Sequence, residues 1–154
     1  MKINTTYKRG ISMLEVLIVL VIISILAGLS WSAISKVRKT TKVDNSCDGV
    51  IALANKARGM ALSGEPGINA VKFSCVTASC TLSTRATTGP NVFTPKETYT
   101  LESGTHISAS PVINMIYNSP YGNSSATQNG SVIDAGGSGI NKTFTIGQGV
   151  STCN

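Results

Sequence analysis

A run of twenty residues without a charged side chain, VLIVLVIISILAGLSWSAIS at positions 16–35, constrains this chain more than any other feature. As an α-helix rising about 1.5 Å per residue, the run spans about 30 Å, the thickness of the hydrocarbon core of a bilayer. Trp31 lies near its C-terminal end, where an amphipathic ring suits the membrane interface. The sequence therefore predicts one membrane-spanning helix close to the N-terminus.

The formal net charge of +6 is unevenly distributed along the 154 residues. Seven bases flank the apolar run, whereas from Asp44 onward six bases balance six acids. The positive-inside rule, applied to the short N-terminal flank, predicts a cytoplasmic N-terminus and an exported C-terminal part. The bases that follow the run oppose this orientation in part. The flanking bases are Lys2, Lys8, Arg9, Lys36, Arg38, Lys39 and Lys42.

Two simple interpretations of this segment are a secretory signal peptide, cleaved after Ala33, and a plain membrane anchor. Glu15 argues against both, because it places a carboxylate at the start of the apolar run. An ionisable group at membrane depth costs about 2.5 kcal/mol or more, so we expect Glu15 to have a function.

The residues before the apolar run form an ordered motif: Lys8-Arg9-Gly10, then Ile11-Ser12-Met13-Leu14-Glu15. This motif resembles the class III signal peptides of type IV pilins and type II secretion pseudopilins. In that family a short basic leader ends in Gly, and an apolar residue, Thr or Ser, two further residues and Glu follow it. The cleavage site precedes the apolar segment, whereas in an ordinary signal peptide it follows it.

The resemblance implies that a prepilin peptidase cuts between Gly10 and Ile11 and N-methylates Ile11. The apolar helix is then kept, first as an anchor in the inner membrane and later as the core of a filament of pilin subunits. The new terminal amine of one subunit could meet the Glu15 carboxylate of a neighbour. Such a pair is far better in a low dielectric than either charge alone, so our hypothesis is that Glu15 sets the register of assembly.

Beyond the membrane segment, apolar residues recur at helical spacing and predict one long helix from about residue 12 to about residue 62. Gly49 and Gly59 weaken this helix locally, and a break at 45–49 is one possibility. The SGEPG sequence at 63–67 ends it. The recurring residues are Val43, Cys47, Val50, Ala54, Ala57 and Ala61, with Leu53 and Met60 beside them.

The sequence after residue 67 predicts strands separated by turns, beginning with a hairpin of 71–75 and 80–84. A helix followed by an antiparallel sheet predicts an α+β fold with the sheet packed on the helix. The order of parts resembles the heads of GspH/FimT-like minor pilins and pseudopilins. We divide the chain into leader 1–10, membrane and filament-core helix 11–35, amphipathic helix 36–63 and β-rich head 64–154. Further strands are predicted at 98–102, 105–109, 112–117, 131–134 and 142–146.

Four cysteines in an exported domain predict two disulfides, for which three pairings exist. Cys75 and Cys80 flank the predicted hairpin turn, which favours their pairing and leaves Cys47 for Cys153. A zinc site is disfavoured because the chain has one His and no CxxC motif. We expect no metal and no cofactor.

No nucleophile elbow or phosphate-binding loop occurs in the sequence, and we interpret the lone His106 as a surface or hydrogen-bonded residue. We therefore expect a structural protein and no enzyme: a subunit of a type IV pilus-like filament, of the minor-pilin kind. Its location would be the inner membrane with an exported head, then a cell-surface pilus.

Three other functions stay open. A type II secretion pseudopilin would have the same N-terminus and end in a periplasmic pseudopilus. A DNA receptor for uptake is disfavoured because the bases of the head are balanced by acids, so we do not expect nucleic-acid binding. An adhesin could use 118–130, which we interpret as an Asn-, Ser- and Gly-rich loop and which composition alone supports.

Overall fold

The structure is a computed structural model that describes residues 12–89, 92–109, 112–124, 127–147, 149 and 151–154, and their side chains except at 29–32. A single helix, α1, covers Met13–Leu62, in agreement with the predicted bounds. The described residues fall into two compact units, which divide between Arg38 and Lys39. The helix contributes to both units.

The second half of α1 carries a buried stripe. The six residues with helical spacing, from Val43 to Ala61, are all fully buried, and Leu53 is 4% exposed. Alanine at three of these positions lets other elements approach the helix axis closely. The predicted amphipathic half of the helix is thus confirmed, and it forms one side of the core.

Strands follow the helix, all paired antiparallel, in two sheets. The first sheet has the order β3-β2-β1-β5-β6, and the second has the order β4-β7-β8-β9. Within the described residues the strands are β1 Ile68–Val76, β2 Ser79–Ala86, β3 Thr94–Thr100, β4 Thr105–Ser108, β5 Asn114–Asn118, β6 Asn123–Ser124, β7 Gln128–Asp134, β8 Asn141–Ile146 and β9 Thr152–Cys153.

The alternation along β1 shows which face of the first sheet meets the helix. Val71 and Phe73 are fully buried and belong to the same core cluster as the stripe of α1. Lys72 and Ser74, between and after them, are half-exposed and lie on the opposite, outer face. Residues from the second sheet, such as Phe144, complete the core.

The α+β class is confirmed, with three differences in detail. The head contains two sheets where the sequence predicted one, because β5 pairs with β1 while β4 pairs with β7. The stretch 118–130, interpreted as a loop, contains β6 and the start of β7. Gly49 does not break α1, and the ring of Tyr99 fills the space that a side chain there would need.

Candidate functional site

The N-terminal part of α1 presents apolar side chains on every side. The large apolar residues from Met13 to Leu26 are between 47% and 87% exposed. Their mean hydropathy is 2.7 over the most apolar window, and the helix is long and apolar enough to cross a membrane. A helix that is apolar all round is stable only where lipid or other protein covers it.

Ser12 directly precedes this helix. The backbone N–H groups of Glu15 and Val16 donate to the Ser12 carbonyl at 2.9 Å and 3.2 Å, and the N–H of Leu14 donates to the Ser12 Oγ at 3.3 Å. This is the geometry of an N-cap, in which the serine hydroxyl takes one of the backbone donors that the first turn leaves without a partner. Sequence reasoning missed this role, although Ser-x-x-Glu before an apolar run is its usual signal.

Glu15 lies in the first turn of α1 and is exposed. With Val16, Val19 and Leu20 it lines a shallow hollow of about 300 Å³ on the helix surface. A carboxylate in the first turn is also stabilised by the partial positive charge of the helix N-terminus. Glu15 therefore has both a local electrostatic partner and free space beside it.

Gly10 and Ile11, the predicted cleavage and methylation positions, lie outside the described residues. Further along the apolar segment, the Ser24 hydroxyl donates to the Leu20 carbonyl at 2.8 Å, so this polar group is satisfied within the helix. Apart from the neighbouring residues and the helix's own backbone, no described atom lies within 4 Å of the position that a side chain at Gly28 would take. Small residues of this kind allow close approach of another helix in a membrane.

The four cysteines form two disulfides in the head. Cys75 and Cys80 lie directly opposite each other on β1 and β2 and close the turn between these strands. Cys47 of α1 is joined to Cys153 of β9, across 106 residues of chain. The second bond fixes the end of the chain to the helix.

Two of the bases that follow the apolar run contact the head. The Lys39 Nζ lies 3.4 Å from the Asp134 Oδ2, and the Lys42 Nζ donates to the Ser103 carbonyl at 3.0 Å. Lys39 and Lys42 thus join the second half of α1 to the head. Asp134 at the C-terminal end of β7 and Ser103 just before β4 both lie next to the helix, which the sequence does not reveal.

The carboxylate of Asp134 is held by several donors. The Ser138 hydroxyl donates to the Oδ2 at 2.5 Å, and this bond is the main reason why the pKa of Asp134 lies below its ordinary value. The backbone N–H of Gly136 and the charge of Lys39 lower the pKa further, while desolvation opposes them. This cluster fixes the turn between β7 and β8 against the helix.

His106 is half-buried on β4, opposite Ile133 of β7. Among the described residues, no group of three or more His, Cys, Asp or Glu side chains is arranged to hold a metal ion. That the chain uses no cofactor stays a prediction.

Comparison with known families gives one result for the N-terminus. The family model of the prokaryotic N-terminal methylation motif matches residues 5–31. Comparison with curated proteins and with solved structures gave no match. The matched residues include Gly10, Ile11 and Glu15 and most of the apolar run, and they support a pilin-like or pseudopilin substrate of prepilin peptidase. The long helix followed by antiparallel sheet fits the pilin fold.

Proposed function

We propose that this chain is a structural subunit of a type IV pilus-like filament, of the minor-pilin class. It is made as a prepilin, cut after Gly10, N-methylated at Ile11 and polymerised through its apolar helix. One observation carries this proposal: the methylation motif at 5–31 includes the start of a helix whose N-terminal part is apolar and uncovered on every side. The same helix continues into the core of a folded head.

The uncovered surface explains why the helix must be retained after processing. Before assembly, lipid covers these side chains, and the span of about 30 Å matches the bilayer. In a filament, the helices of neighbouring subunits cover them instead, so the same residues serve as membrane anchor and as filament core. If the apolar segment were a plain signal peptide and were cleaved off, the head would lose this apolar surface.

The division of the chain follows from these roles. Residues 1–10 are the leader, 11–35 are the membrane and filament-core helix, 36–63 are its amphipathic continuation, and 64–154 are the head. The leader remains in the cytoplasm, and the head lies outside the inner membrane, where an oxidising compartment suits two disulfides. The partners are prepilin peptidase, the inner membrane and other pilin subunits.

Glu15 provides the register of assembly in this proposal. Cleavage creates a cationic amine at Ile11, and the hollow beside Glu15 is lined otherwise by Val16, Val19 and Leu20. An incoming amine would meet a carboxylate among apolar side chains, where an unpaired charge is costly. Only one axial offset between neighbouring helices satisfies both charges.

The test compares Glu15→Leu with Glu15→Asp and with Ser12→Ala. We expect Glu15→Leu to be cleaved but largely absent from filaments sheared off the cells, while Glu15→Asp retains part of the assembly. Ser12→Ala removes the hydroxyl of the N-cap and leaves the carboxylate, so it controls for a weakened helix start. Cleavage is followed by the shift in size on a gel, and assembly by the amount of chain in the sheared fraction.

If Glu15→Leu entered filaments at the level of the parent chain, the register role of Glu15 would be wrong. If Ser12→Ala were cleaved and lost from filaments to the same extent as Glu15→Leu, the carboxylate would act only through the helix start. If the cleaved parent chain were itself missing from every sheared or periplasmic filament, the proposed function would fail.

A further inference from the structure

The acids of this chain are scattered in sequence, but each of them lies on α1 or close to it. All seven lie within the described residues, and each is on α1, directly after it, or bonded to one of its side chains. Glu97 pairs with Lys56, Glu102 accepts from Asn45, and Asp134 pairs with Lys39. The other four are Glu15, Asp44 and Asp48 of α1 and Glu65 in the turn that follows it.

The outer face of the first sheet carries bases instead. The Lys72 Nζ lies 5.7 Å from the centroid of the Phe93 ring, and the Arg85 guanidinium carbon lies 5.4 Å from it. The Arg85 Nε also donates to the Asn69 Oδ1 at 2.8 Å, which orients the guanidinium. We call Lys72, Arg85 and Phe93 the basic face. Lys96, on the neighbouring β3, is exposed.

A groove of about 260 Å³ lies on the other side of this sheet, between α1 and the edge strand β3. Its walls are apolar or small at Gly49, Ala52 and Leu53, and the ring of Tyr99 closes one end. The remaining lining residues, Lys56 and Glu97, neutralise each other as an ion pair. The groove has room for one or two side chains, which is less than a drug-sized ligand needs.

Two carboxylates act on the aromatic end of this groove, and Lys42 lies near one of them, Glu102, through its bond to the Ser103 carbonyl. Asp48 is exposed on α1 next to Gly49, and Glu102 lies beyond Tyr99. Both carboxylates act on the Tyr99 hydroxyl: the pKa of Tyr99 is raised, first by desolvation, then by Glu102 and Asp48, while a hydrogen bond with Ser46 opposes them. The groove is thus an apolar slot with an aromatic end and an acidic rim.

We propose that the acid-rimmed groove of one copy receives the basic face of a second copy. This inference rests on the proposed function and concerns filaments in which two copies of this chain are neighbours. Charge complementarity supports it: the basic face and the acidic rim are on the same molecule and on opposite sides of one sheet. Joining two different surfaces in this way is a heterologous contact, the kind that a helical filament uses.

The apolar parts of the two surfaces also match. The half-exposed Phe93 ring is the apolar centre of the basic face, and the exposed Ala52, beside the largely buried Leu53, offers it an apolar wall. A lysine or arginine beside that ring would meet Asp48 and the face of Tyr99, where cation–π attraction adds to the ion pair. A nucleic acid would contact only the bases and leave the groove empty. A second copy of the chain would use both the basic face and the groove, so it is the better match.

The test is a charge exchange in the full chain. Lys72→Glu reverses the basic face, Asp48→Lys reverses the rim, and the double variant restores attraction between copies. The control Asp48→Lys/Lys142→Glu carries the same net charge, but its second change lies on β8 and is paired with Asp44 in the parent. Retention of both disulfides and of thermal stability in detergent micelles checks that each variant folds.

We expect each single reversal to lower the amount of chain in sheared filaments about tenfold, since it places like charges opposite each other in the interface. We expect the double variant to return to within about twofold of the parent and the control to stay low. The inference is overturned if the double variant assembles no better than Asp48→Lys alone, or if both single variants assemble normally. Both of these results leave the proposed function intact.

A cross-link gives a second measurement. The native cysteines are all in disulfides, so a bismaleimide reacts only with engineered thiols in Asp48→Cys/Lys72→Cys subunits. We expect a ladder of covalent multimers in filaments, and none with Asp48→Cys/Lys142→Cys. Filaments that contain the chain but give no ladder would overturn the inference. The inference would also be overturned if Lys72→Glu assembled normally but no longer bound a duplex DNA probe that the parent binds. The basic face would then be a nucleic-acid surface.

Discussion

The ring of Tyr99 occupies the space that a side chain at Gly49 would need, so β3 packs against α1 at a point where the helix has no Cβ atom. The Tyr99 hydroxyl also donates to the Asn45 carbonyl, one turn earlier, at 3.2 Å. This contact forms one end of the groove between the two elements. A glycine in the middle of a helix is therefore explained by packing.

Two substitutions in the same helix test this explanation. Gly59 is exposed and has nothing within 4 Å of its missing side chain, so Gly59→Ala should stabilise the chain by up to about 1 kcal/mol through helix propensity. Gly49→Ala gains the same propensity but displaces Tyr99, so it should be the less stable variant by about 1 kcal/mol or more. Thermal unfolding in non-ionic detergent micelles measures both. If Gly49→Ala and Gly59→Ala were equally stable, and if they stayed equal when Tyr99 was replaced by Ala, the packing of the Tyr99 ring would not depend on Gly49.

The two disulfides should contribute unequally to stability. Cys47–Cys153 closes a loop of 106 residues and Cys75–Cys80 one of only 5. In the chain-entropy model the long loop gives about 4.7 kcal/mol and the short loop about 2 kcal/mol. Replacing Cys47 and Cys153 by Ala should therefore lower the unfolding temperature more than replacing Cys75 and Cys80. The reverse order would mean that β9 adds little to the folded head.

The Asp134 cluster predicts a dependence on acid pH. Because the pKa of Asp134 is below the ordinary 3.8, chiefly through the Ser138 hydroxyl, the folded state prefers the carboxylate more than the unfolded state does. The resulting stabilisation is complete above pH 3.8 and is lost as the pH falls through the lowered pKa. Ser138→Ala should therefore be less stable than the parent at about pH 7, with a difference that shrinks at about pH 2.5. A difference that is independent of pH would show that Ser138 acts without the carboxylate.

Local patterns in the sequence were sufficient for the helix and for the first hairpin. The spacing of Val43, Cys47 and Val50 indicated the buried side of α1, because helix period and burial are set by neighbouring residues. The turn between Cys75 and Cys80 was indicated in the same way. The α+β class followed from the order of these parts.

Contacts between residues distant in sequence were not visible. The pairing of β4 with β7, and of β5 with β1, depends on how strands share the core, so one sheet was predicted where two exist. For the same reason the acids looked scattered, although Glu97, Glu102 and Asp134 all meet side chains of α1. Ser12 is a different case, since its capping pattern could have been recognised from the sequence.

The central claim is that the chain loses a short leader and keeps its apolar helix. Intact mass and N-terminal analysis of the protein purified from its native membranes or filaments test it most directly. The account predicts a chain that begins at Ile11, lacks residues 1–10 and carries one added methyl group on its terminal amine. A chain that begins downstream of Trp31, or that still carries Met1 in assembled material, would contradict it.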